Sequence, residues 1–158
     1  MPPILDRKLR FADAVYAIEA TPKSLRNWLA RDQVTLPFGH PREGWHEFTF
    51  IDIAVLAVVR KLVDFGMPVE TASQFANSVL LASLHRLSTF KNAPPMAVVS
   101  LFFGQRMRVW RGAEGWHYRV DRQEDGEPAT AVYLTLNVSM VLDAAITRAM
   151  SSRADGAE

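Results

Sequence analysis

Apolar positions recur at steps of three and four through roughly the first half of the chain and alternate with polar ones in much of the second. Between residues 10 and 18, Phe11, Ala14, Val15 and Ile18 form a short stripe that predicts an amphipathic helix. A second helix is expected over 21–31. Thr21 is a good N-cap, and Pro22 at the first helical position gives up an N–H that has no intrahelical partner. Residues 33–50 are rich in Pro, Gly and His and carry the cluster Trp45, Phe48 and Phe50, which reads as a loop or β-hairpin. Over 51–65, Ile51, Val55, Val58, Leu62 and Phe65 share one stripe that Ile53, Leu56 and Val63 widen. So broad an apolar surface predicts a helix packed against more than one neighbour. Gly66 then stands where a left-handed C-cap is wanted, and Pro68 starts a fourth helix with Val69, Ala72, Ala76, Val79, Leu80, Leu84 and Leu87 inward.

The pattern changes at Lys91-Asn92-Ala93-Pro94-Pro95. Consecutive prolines stop a helix and suggest an extended connector, so the chain divides there into residues 1–92 and 93–158. Residues 97–103 are β-branched and aromatic, as in a buried strand. Residues 107–111 and 116–121 flank Gly112-Ala113-Glu114-Gly115, a hairpin turn. Asp125-Gly126-Glu127-Pro128 is a second turn, followed by a strand over 130–136. Asn137 is placed to cap a last helix over 138–150, with Val138, Val141, Leu142, Ala145 and Met150 inward. The expected fold is α+β: four N-terminal helices with a wing, then four antiparallel strands forming a small sheet, then a C-terminal helix.

Composition narrows the class. The chain has 158 residues, 49% hydrophobic and 22% charged, as in ordinary globular proteins. Apolar runs are interrupted within about a dozen residues, too short for a membrane span, and the N-terminus lacks a signal-peptide layout. A cytoplasmic protein is the expectation. The absence of cysteine removes disulfides, thiolate metal sites and cysteine nucleophiles. Net charge is +1, so non-specific coating of nucleic acid is disfavoured, although a docking face needs only local positive charge.

The stretch with most functional content is Thr21-Pro22-Lys23-Ser24-Leu25-Arg26-Asn27-Trp28-Leu29-Ala30-Arg31. At ~100° per residue, Leu25, Trp28 and Leu29 share one side and Lys23, Arg26, Asn27 and Ala30 the other. A helix-turn-helix protein needs this division, with one face packed and the other offering Arg, Lys or Asn to base edges and phosphates. The competing reading is a solvated face on an ordinary surface helix.

Thr21 to Trp28 resembles the second helix of the MerR-type winged helix-turn-helix proteins, whose most recognisable run is Ser/Thr-Pro-x-Thr/Ser-Leu-Arg-x-Trp/Tyr. The likeness continues in order. Gly44-Trp45-His46-Glu47-Phe48-Thr49 is similar to the family's wing, and residues 51–65 with Gly66-Met67-Pro68-Val69-Glu70 are similar to the helix behind it and the turn that follows. The resemblance covers about residues 10–80. It implies a double-stranded-DNA-binding regulator with Lys23, Ser24, Arg26, Asn27 and Arg31 on the helix and His40, Arg42 and His46 on the wing as the contacts. Three departures stand out. Glu19 occupies the turn where the family has Gly, so a longer or differently shaped turn is expected. His46 replaces the wing Arg, a weaker and pH-dependent phosphate partner. Asn27 replaces an aromatic and adds a possible adenine reader. The cysteine metal site of the metal-sensing members is absent, and their long dimerising helix is shortened.

Other constellations carry less. His40 and His46 are six residues apart with no cysteine to complete a zinc site, so neither a metal nor a cofactor is expected. Trp110, Trp116, His117 and Tyr118 could form a stacking platform for single strands, but the alternating residues Met107, Val109 and Arg111 with Trp116, Tyr118 and Val120 read as supplying one packed and one exposed sheet face. Asp121, Glu124, Asp125 and Glu127 read as solvated acids in a turn. No nucleophile–base pair or phosphate loop points to an enzyme. The sequence thus predicts a sequence-specific DNA-binding transcriptional regulator of bacterial or phage-like type, homodimeric through residues 93–150. A recombination directionality or DNA-packaging factor, or a protein-interaction or ligand module that has lost DNA binding, are the alternatives.

Overall fold

A computed structural model describes residues 9–37, 47–84, 93–122 and 132–156. The wing tip, with His40, Arg42 and His46, lies outside them, as do Leu87 and the acids Glu124, Asp125 and Glu127. Four helices come first: α1 (Phe11–Ile18), α2 (Pro22–Ala30), α3 (Phe50–Asp64) and α4 (Val69–Leu84). Between α2 and α3 the returning chain pairs with the N-terminal segment. Phe48 N–H donates to the Leu9 carbonyl (2.8 Å) and Leu9 N–H to that of Phe48 (3.4 Å).

Helix α3 is the hub. Every residue from Phe50 to Val59 is buried, as its broad apolar surface predicted, and it packs against α1, α4 and α6 (Val138–Gly156). It begins with a buried capping box that the sequence reading did not pick out. The Asp52 N–H donates to Thr49 Oγ1 (3.1 Å), and the Thr49 N–H donates to a carboxylate oxygen of Asp52 (2.9 Å). Gly66, at φ 106, closes its C-terminal end.

The second half differs from expectation at one element. Residues 97–103, read as a strand, hold a short helix, α5 (Ala97–Leu101). Pro94 and Pro95 head it rather than forming an extended connector, because their carbonyls accept from Ala97 N–H (3.0 Å) and Val98 N–H (3.3 Å) while proline itself needs no acceptor. Val98 and Phe102, four apart, are buried, whereas Phe103 is 84% exposed, a helical and not an alternating pattern.

The sheet therefore has three described strands, β1 (Gln105–Gly112), β2 (Gly115–Arg122) and β3 (Leu134–Asn137), antiparallel in the order β2-β1-β3. The register pairs Met107 with Val120, Val109 with Tyr118 and Arg111 with Trp116. Their shared face turns toward the helices. Tyr118 meets Phe75 of α4 at 4.7 Å between ring centres, and Trp116 meets Phe65 edge-on at 5.9 Å. Trp110 and His117 stack with each other (5.8 Å) on the opposite face. The four aromatics form no single platform. Asp121 is a further correction: it is 3% exposed and takes Arg119 Nη2 at 2.6 Å and Arg108 Nε at 3.5 Å. The pleat aims it at those two side chains instead of at water.

Asn137 ends β3 and caps α6 as predicted, its Oδ1 accepting from Met140 N–H (3.3 Å) and the Ser139 hydroxyl (3.0 Å). The inward stripe of α6 meets its own chain. Leu142, Ala145, Ile146 and Ala149 are buried and share one core with Ala14, Ile18, Val55 and Leu62. That core crosses the proline boundary without interruption.

Candidate nucleic-acid interface

Helix α2 carries the candidate reading residues, and its local sequence explains its form. Thr21 Oγ1 accepts from Ser24 N–H (3.1 Å), and the Thr21 hydroxyl donates to Ser24 Oγ (2.8 Å). Pro22 fills the first helical position. Leu25 and Trp28 are buried and Leu29 is half-buried, which fixes the helix by one face. Lys23, Arg26, Asn27, Ala30 and Arg31 are exposed. The division read from helical angles is the one the fold produces.

The exposed residues do not all have the same freedom. Ser24 is half-buried, its hydroxyl engaged at the cap. Arg26 lies with its guanidinium carbon 5.6 Å from the centre of the Phe11 ring, a cation–π contact worth ~0.5–1 kcal/mol at an exposed site. The contact restrains a long side chain without using up its donors. None of Lys23, Arg26 and Arg31 is ion-paired among the described residues. Lys23, Arg26 and Asn27 thus stand on the outer side of a nine-residue helix, with Arg31 at its C-cap. Chemically, this surface can donate to phosphate oxygens and to base edges.

Both helices of the motif end in the same way. Ala20 N–H reaches the Val15 carbonyl (3.2 Å) and Glu19 N–H that of Tyr16 (3.3 Å), with Glu19 left-handed at φ 56. Gln33 N–H reaches the Trp28 carbonyl (3.0 Å) and Asp32 N–H that of Leu29 (3.2 Å), with Asp32 at φ 54. These are paired Schellman closures in which an acidic residue takes the position glycine usually holds. The expected longer turn is not needed, because Glu19 adopts the left-handed conformation itself.

A groove of about 670 Å³ runs beside this turn, and Phe11, Tyr16, Glu19, Arg26 and Arg148 line it. Arg148, from α6, had no signal in the sequence. It pairs with Glu19 across the chain (3.2 Å), and only the fold brings the two together.

Comparison with known proteins supports the same part of the chain. No curated protein matches it significantly. Residues 9–79 match the family model described as MerR HTH family regulatory protein, while the sheet and α6 fall outside the match. The N-terminal part of this chain is a MerR-type helix-turn-helix domain.

Proposed function

We propose that the protein is a sequence-specific double-stranded-DNA-binding transcriptional regulator of bacterial or phage-like type. The observation that carries this reading is the two-sidedness of α2, with Leu25 and Trp28 buried beneath an exposed row of Lys23, Arg26, Asn27 and Arg31. In this reading α2 enters the major groove, where Arg26 takes guanine O6/N7 or a phosphate and Asn27 is suited to adenine N6/N7. Lys23 and Arg31, at the two ends of the helix, hold the backbone. On the family resemblance, His40, Arg42 and His46 of the wing grip phosphates beside the groove. Two copies of the chain bind as a homodimer on a two-fold-related site.

The test is selection of bound duplexes from a randomised pool, followed by chromatin pull-down to place the enriched sequence. The reading expects one recurrent, two-fold-related sequence upstream of transcribed regions. Enrichment at an attachment or packaging site would assign the same winged module to recombination or packaging. No enrichment at any salt would leave a protein-interaction or ligand module.

A further inference from the structure

The turn between α1 and α2 makes a demand that this sequence does not meet locally. Its left-handed position holds Glu19 (φ 56, ψ 35), where a Cβ costs free energy that glycine avoids. Arg148 of α6 reaches this turn from 132 positions beyond Tyr16. Its Nε–H donates to the Tyr16 carbonyl (3.0 Å), and its Nη1 pairs with Glu19 Oε1 (3.2 Å). Its guanidinium carbon stands 4.3 Å from the centre of the Tyr16 ring. The Tyr16 carbonyl also accepts the Glu19 N–H that closes α1. One guanidinium therefore serves a helix-end carbonyl, the ring on the same residue and the carboxylate on the left-handed residue. A second link runs alongside, the Ser152 hydroxyl donating to Asp13 Oδ1 (2.6 Å).

We propose that Arg148 is a positioning residue for the reading helix: it holds the Glu19 turn, and through that turn the C-terminal helix sets how α2 is aimed at DNA. The proposal rests on the DNA-binding reading above for its function, but not for its geometry. Only Ala20 and Thr21 separate Glu19 from the first residue of α2, so a change in the turn moves the whole reading face. Arg148 also lines the same groove as Arg26.

The test is a cycle of Arg148→Ala, Glu19→Gly and the double variant in the full chain. Amide hydrogen exchange at Glu19 and Ala20 reports the turn without DNA. Arg148→Ala should speed it about tenfold, and the double variant should return to within about twofold of Glu19→Gly, since glycine holds the left-handed conformation unaided. Affinity for a duplex selected by the wild-type chain should fall about tenfold in Arg148→Ala and recover in the double variant. The salt slope should stay unchanged, whereas loss of a direct phosphate contact would make it shallower by about one unit. Should Arg148→Ala fold too poorly to measure, Arg148→Lys replaces it, keeping the charge but not the Nε–H bond, with about a threefold effect on both readouts. Unchanged exchange overturns the proposal, as does a shallower salt slope or a loss of affinity that Glu19→Gly does not restore. If the exchange pattern holds while the wild-type chain selects no duplex, Arg148 sets the turn and the DNA-binding reading is what falls.

Discussion

Trp28 and Arg26 lie two positions apart on one helix, one buried and one exposed. Trp28 is 7% exposed and belongs to the core, so Trp28→Ala should cost ~3–5 kcal/mol in a urea or thermal unfolding curve, the range for buried aromatics. A variant with wild-type stability would mean that α2 packs by another face. Asp32 offers a finer test, since its φ of 54 asks for a residue tolerant of the left-handed region. Asp32→Gly should leave stability within about 1 kcal/mol of wild type, and Asp32→Val should lose more than that, because a β-branched side chain is poorly tolerated there. At this scale the sequence was legible where a residue's task is set by its immediate neighbours, as for Thr21, Leu25 and Trp28. It was not legible for Asp121, whose partners are a cross-strand arginine and a residue two along its own strand, or for Arg148, whose partners lie on α1 and the turn after it.

Helices show which signals can mislead. Val98, Val99, Phe102 and Phe103 have strand-like side chains, yet their segment follows two prolines able to head a helix, and burial of Val98 with Phe102 settles it as α5. Propensity counted side-chain type, while the backbone followed the N-terminal prolines and the core. At α3 the reverse occurred. The apolar stripe predicted the helix, but its cap lay in Thr49 and Asp52, two polar residues that are fully buried because they satisfy each other's backbone. Thr49→Ala should destabilise the protein by about 1–2 kcal/mol, measured by equilibrium denaturation. A change below ~0.3 kcal/mol would mean that water or another group replaces the cap.

For the molecule as a whole, α6 decides how independent the helix-turn-helix half can be. Its buried Val138, Leu142 and Ile146 each contribute ~1.5–3 kcal/mol by removal from water, together a large fraction of the ~5–15 kcal/mol that a domain usually has. A chain ending at Asn92 should therefore lose its cooperative unfolding transition, read by circular dichroism against urea. A sharp transition in that fragment would show that residues 93–158 form a separable unit. The same packing bears on assembly. The proposed homodimer was expected to assemble through residues 93–150, but the inward face of α6 is engaged within its own chain, which leaves other surfaces for pairing. Periodicity revealed that α6 had an apolar face, but one sequence could not say whether its own chain or a second copy covers it.

If the outward face of α2 reads DNA as proposed, removing the Arg26 guanidinium must change both affinity and discrimination. The measurement is a binding titration of the wild-type chain and Arg26→Ala on a selected duplex and on a scrambled one of equal length, at two salt concentrations. Arg26→Ala should weaken the selected duplex by ~1–3 kcal/mol and narrow the gap between the two. If the variant binds both duplexes as the wild type does, α2 does not read DNA.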